Sequence, residues 1–117
     1  MNAPVSSAWR TFFWLAASYN FVIGLLVFVA AAWGSAQAIN GVLIFCFGIV
    51  YALMARDPQR FAPVLLAGIV GKAMVVAMLG PPNWWGGGDP TVGVIVAGDL
   101  FFASGFVLFL VRGRVGE

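Results

Sequence analysis

The chain has 117 residues, 62% of them hydrophobic and only 9% charged, with a mean hydropathy of +1.01. Such a chain cannot clothe a soluble surface, and its net charge of +2 comes from very few groups; with no basic patch interleaved with aromatics, no nucleic acid is expected as a partner. It has no His and one cysteine, Cys46, so neither a disulfide framework nor a Cys/His metal site can be built within one chain.

Four apolar runs approach or exceed the roughly 17–25 residues that cross a bilayer as a helix. They predict spans over 11–33, 38–55, 61–79 and 91–111, which use up most of the chain. The expected fold class is therefore all-α: a four-helix antiparallel transmembrane bundle forming one integral membrane domain over 1–117.

A short polar lead ends at Arg10, and the first span follows. Arg10, an apolar run and Ala36-Gln37-Ala38 imitate a signal peptide, but the run exceeds the roughly 7–15 residues of a signal core. Ala17, Asn20 and Gly24 fall on one helical face, the spacing of a packing stripe. Gly34-Ser35-Ala36-Gln37 reads as a tight connection between antiparallel neighbours. In the second span Gly41, Gly48 and Ala52 share a face that lets another backbone approach. Cys46, on an apolar helix, reads as a packing residue.

The most polar stretch is 56–60, Arg56-Asp57-Pro58-Gln59-Arg60, which reads first as a topology signal with a helix start and second as a site for anionic lipid or a partner. Pro58 stops the second helix, and Asp57 is placed to cap the third with Pro58 in its first turn. The third span is followed by the longest loop, 80–90. There Pro81-Pro82 should end the helix, and Trp84 and Trp85 suit an interfacial anchor ahead of a flexible glycine tail. Asp89 and Pro90 read as the start of the fourth helix. Its Phe101, Phe102, Phe106 and Phe109 include bundle-facing and lipid-facing positions and need no cofactor to explain them.

Charge sets an expected orientation. Arg10, Arg56, Arg60, Arg112 and Arg114 all fall on one side of a four-span arrangement, and the other two loops carry no cation. The positive-inside rule then places both ends of the bundle's chain in the cytoplasm, N-in and C-in, and makes 56–60 a cytoplasmic loop. So clean a bias argues against insertion as inverted pairs.

Lys72, in the third span, is the exception. At about 1.5 Å per residue it lies roughly 16 Å deep, Asp99 roughly 18 Å and Asn20 roughly 14 Å. One polar layer of Lys72, Asp99, Asn20 and Tyr19 near mid-membrane is the expected site. A lone charge at the centre of a span costs about 2.5–3.5 kcal/mol on insertion scales, and facing each other the two neutralise much of it. Such residues line a proton, ion or small-ligand site, or they form a self-compensating pair that fixes helix register.

Tyr19-Asn20, Ala55-Arg56-Asp57-Pro58, Gly71-Lys72 and Gly98-Asp99-Leu100-Phe101 together resemble uncharacterised small four-helix bacterial membrane proteins, similar in size and span count to the DoxX-like proteins. Some DoxX-like proteins serve as membrane subunits of quinone-linked oxidoreductases. The resemblance thus implies a place in the bacterial inner membrane and, by fold analogy alone, a quinone- or lipid-handling role. The residues themselves offer no activated nucleophile, no redox ligand set and no expected cofactor. Three readings result, in order: a non-catalytic accessory or structural subunit packed on other membrane subunits or on itself; a small oligomeric proton, ion or solute transporter using Lys72 and Asp99; and a quinone- or lipid-binding oxidoreductase component. The lipid bilayer is the expected surrounding in all three.

Overall fold

A computed structural model describes residues 5–113; Arg114, counted above among the flanking cations, lies outside them. Helix α1 spans Ser7–Ala30 and α2 spans Ala36–Arg56. A short helix, α3, covers Pro58–Phe61 and passes through a 3-10 turn, Ala62–Val64, into α4, Leu65–Trp84; α5 is Pro90–Val111. No strand occurs among the described residues. Four segments, Ser7–Ala30, Ala36–Arg56, Pro58–Trp84 and Pro90–Val111, are long and apolar enough to cross a membrane.

The chain divides into two compact units, one holding α1, α2 and α3 and the other α4 and α5. In the first, α1 and α2 form an antiparallel hairpin, with partners that descend along α2 as they climb along α1. Arg10 meets Ala55 and Arg56, Ala17 meets Gly48, Asn20 meets Ile44, and Gly24 meets Gly41 and Phe45. The buried positions of α1, Phe13, Ala16, Ala17, Asn20 and Gly24, recur every three or four residues and include the face read from the sequence. On α2, Gly41 and Gly48 are buried and Ala52 is half-buried.

At the centre of this hairpin the two backbones touch. A Cβ on Gly24 would lie 2.5 Å from the Phe45 amide nitrogen, and one on Gly41 would lie 2.6 Å from that of Phe28. Only glycine at both positions permits so close an approach, which brings dispersion contacts that the lipid cannot supply.

The helix ends depart from the hydropathy reading. The first helix stops at Ala30 rather than at Trp33, because Ala31 is extended, Gly34 has φ +82° and the Ser35 side chain accepts from the Ala38 amide at 3.1 Å. Hydropathy registers Trp33 as span; the cap makes it a loop residue, 89% exposed. Asp57 caps α3 as expected, accepting from the Arg60 amide at 3.4 Å with Pro58 in the first turn.

The expectation that Pro81-Pro82 ends the third helix is overturned, since both lie inside α4, which runs to Trp84. The two missing amides remove bonds to the preceding turn only, and the proline carbonyls still accept from amides further along the chain. Trp85 and Gly86 donate to the Pro81 carbonyl at 3.0 and 3.2 Å, and Gly88 donates to that of Pro82 at 3.0 Å.

In the second unit α4 and α5 are again antiparallel. The buried stripe of α4 is Leu65, Gly68, Lys72 and Gly80; that of α5 is Gly93, Val96, Phe102, Ala103, Phe106 and Phe109. Phe101 is 62% exposed, so the four phenylalanines divide between inward and outward faces as the sequence suggests. Outward positions throughout are large and apolar, among them Leu26, Val29, Val70, Met78 and Val94. In water this surface would drive association; against acyl chains it costs nothing. Cys46 is exposed on the same kind of surface rather than packed, because it falls between the inward positions Gly41 and Gly48 on the opposite side of α2.

Candidate functional site

Lys72 sits near the middle of the span Pro58–Trp84, and Asp99 near the middle of Pro90–Val111. Each continues the inward stripe of its helix: Leu65, Gly68, Lys72 on α4, and Gly93, Val96, Asp99, Phe102 on α5. The antiparallel register brings the two stripes together, and the Lys72 Nζ donates to the Asp99 Oδ1 at 2.7 Å. Their side chains are 7% and 15% exposed, so the pair is largely withdrawn from solvent, with the carboxylate the more accessible member. The Lys72 ammonium also lies 5.9 Å from the centroid of the Phe102 ring, within cation–π range. A lysine carries its charge at the end of a four-carbon stem, so its methylenes pack in the apolar stripe while the head meets the acid.

The other expected members of the polar layer belong to the α1–α2 hairpin. Asn20 is 5% exposed and donates its side-chain amide to the Ile44 carbonyl at 3.0 Å, which ties α1 to the backbone of α2. Tyr19, its neighbour on α1, is half-buried. The structure thus brings together Lys72 and Asp99 within one unit, while Asn20 performs a helix-pairing task within the other. Ser104, the other polar side chain in this part of α5, returns its hydroxyl to the Leu100 carbonyl at 2.8 Å. No buried side-chain nitrogen or oxygen among the described residues lacks a hydrogen-bond partner. No group of three or more His, Cys, Asp or Glu gathers among those residues that could hold a metal.

At the closed end of the second hairpin the two tryptophans part company. Trp84 is half-buried; its ring covers Gly80, where a Cβ would lie 2.7 Å from the indole, and its Nε1 donates to the Gly93 carbonyl at 2.8 Å. Trp85 is 80% exposed. The glycines beyond it are tied rather than loose: the Asn83 side chain donates to the Leu79 carbonyl at 2.8 Å and accepts from the Asp89 amide at 2.9 Å, and Asp89 caps α5 through the Thr91 amide at 2.8 Å. The paired Asx residues flanking a glycine run were the available sign of this order.

Arg10 has a role that the sequence reading missed. Standing one turn into α1, it donates Nη1 to the Arg56 carbonyl at 3.0 Å and the Ala55 carbonyl at 3.5 Å, closing the open end of the hairpin. It satisfies carbonyls that have no partner in the last turn of α2 and sets a cation at the negative end of that helix. Arg56 and Arg60 are exposed nearby, with the Arg60 guanidinium 5.2 Å from the Phe61 ring centroid.

Four apolar spans with charge confined to their ends and to one internal pair define an all-α, multi-pass membrane protein. In comparison with known proteins, the chain matches no family model, no curated protein and no solved structure.

Proposed function

We propose that the chain is a non-catalytic subunit of the bacterial inner membrane, with the outer ends of α1 and α5 facing the cytoplasm, and that it packs as an accessory or structural component on other membrane subunits or on itself. The observation that carries this reading is the closed Lys72–Asp99 pair: at 2.7 Å the charges compensate each other inside one hairpin, as a device that fixes helix register does. The outward apolar residues of both hairpins supply surface on which other membrane helices pack. The orientation rests on the arginines gathered at one set of helix ends, and the bacterial placement on the resemblance to small DoxX-like membrane proteins.

The test is a mild-detergent pull-down of the native tagged protein, with complex mass and bound small molecules measured together. A stoichiometric larger assembly agrees with the proposal; a free monomer with no partner would sink it.

One observation favours a second reading, a proton or ion conduit. The Asp99 carboxylate keeps about twice the accessibility of the Lys72 side chain, 15% against 7%, and so is the member of the pair that an ion could reach. Liposome flux decides it: a conduit loses flux in Asp99→Asn while remaining folded, whereas a structural pair shows no flux to lose.

A further inference from the structure

Three arginines gather at the open end of the α1–α2 hairpin. Arg10 is fixed there by its bonds to the Ala55 and Arg56 carbonyls, Arg56 ends α2, and Arg60 lies in α3, the next helix of the same unit. Arg56 and Arg60 are exposed. Among the described residues none of the three is engaged in an ion pair. Asp57, the acid beside them, accepts instead from the Arg60 backbone amide. Arg10 uses one terminal nitrogen on the carbonyls, and a guanidinium has five N–H donors, so each arginine retains donors in the planar fork that suits phosphate oxygens. Aromatic side chains lie alongside: Trp9 precedes Arg10 and packs on Phe12 and Phe13, and Phe61 lies under Arg60. In a hairpin that crosses a bilayer, an apolar shaft ending in guanidiniums and an indole would hold a cationic rim level with the lipid phosphates.

From this arrangement we infer that Arg10, Arg56 and Arg60 form a binding site for a phosphate-bearing anion, and that its occupant is the headgroup of an anionic phospholipid. The site lies apart from Lys72 and Asp99 and requires only that the hairpin spans a bilayer, so it stands or falls separately from the subunit reading above.

The test is native mass spectrometry of the purified full chain after equilibration with equal amounts of phosphatidylglycerol and phosphatidylcholine. The intact protein is expected to retain phosphatidylglycerol preferentially. Arg56→Gln and Arg60→Gln should each lower that preference about fivefold, the effect of one basic residue at an anionic surface. Arg112→Gln, which removes the same charge from the end of α5, should leave most of it in place. Far-UV circular dichroism verifies that each variant remains helical. Equal retention of the two lipids overturns the site, as does a drop in Arg112→Gln as large as that in Arg60→Gln, which would reduce the effect to net charge. Millimolar inorganic phosphate should not displace the lipid; if it does, the assignment to a headgroup fails and free phosphate is the ligand.

Discussion

Lys72 and Asp99, 27 residues apart in sequence and on different helices, meet at 2.7 Å near the middle of their spans. The contact is a result of register: each residue continues the buried stripe of its own helix, and the hairpin that ends in the Trp84–Gly93 bond sets the stripes level.

Removing one partner therefore leaves the other charge buried alone. Lys72→Met or Asp99→Leu should each destabilise the protein by about 3 kcal/mol, the lower end of what breaking a buried pair costs in soluble proteins. The double variant Lys72→Met with Asp99→Leu should recover most of that loss, as should the swap Lys72→Asp with Asp99→Lys. Unfolding in mixed micelles by graded addition of a denaturing detergent measures all four; singles as stable as the intact chain would remove the pair from any structural role.

Two glycines on different helices should respond in opposite ways to the same added methyl. At Gly24 the new Cβ would meet the Phe45 backbone at 2.5 Å, and a backbone cannot rotate aside, so Gly24→Ala should cost about 1–3 kcal/mol by forcing α1 and α2 apart. At Gly71 nothing lies within 4 Å, and Gly71→Ala should be neutral or stabilise by up to about 1 kcal/mol through helix propensity. Thermal melts of the two variants in one detergent make the comparison direct.

Trp84 and Trp85 are adjacent but should behave differently. Trp84→Phe keeps an aromatic ring over Gly80 but deletes the donor to the Gly93 carbonyl, a loss of about 1 kcal/mol. Trp85→Phe, at an 80% exposed position, should leave the melting temperature unchanged. A brominated-lipid quenching series adds a second readout: quenching by shallow bromines should fall mainly with loss of Trp85.

Arg10→Met should loosen the far end of the first hairpin. The last turn of α2 loses the guanidinium at its Ala55 and Arg56 carbonyls, worth about 0.5–1 kcal/mol at a helix C-terminus. Hydrogen exchange in the last turn of α2 and in the α3 amides should speed up several-fold, while α5 amides exchange at their former rate.

Orientation is open to direct chemical mapping. On a Cys46→Ser background, Gln59→Cys should resist a membrane-impermeant maleimide in intact cells and react once the inner face is opened, and Trp85→Cys should react from outside. The reverse pattern would invert the topology drawn from the arginines.

The spans were legible because a run of apolar residues carries its own length, and the buried pair because two lone charges at matching depth leave few other arrangements. Asp57-Pro58 and Asp89-Pro90 were legible as helix starts because cap chemistry is local. Features that depend on pairing, or on caps that hydropathy cannot register, were not legible. Trp33 reads as span until the Ser35 cap is seen, and Pro81-Pro82 reads as a stop although prolines in a last turn sacrifice only bonds behind them. Arg10 looks like a topology signal, and its bond to the end of α2 emerges only once the hairpin register is known. Asn20 was placed at a suitable depth, but depth cannot specify a partner, and its amide is engaged by Ile44 on the adjacent helix.

The placement of the ion pair within a single hairpin bears on how the protein is made. As the chain leaves the ribosome, α4 emerges first and carries Lys72 with no acid to meet it. The lysine lowers the gain from moving α4 into lipid by about 2.5–3.5 kcal/mol, and the arrival of α5 with Asp99 relieves that penalty. A nascent chain cut short before Asp99 would hold a lysine in its third span with no acid to meet it, a mark of incomplete synthesis written into the hairpin.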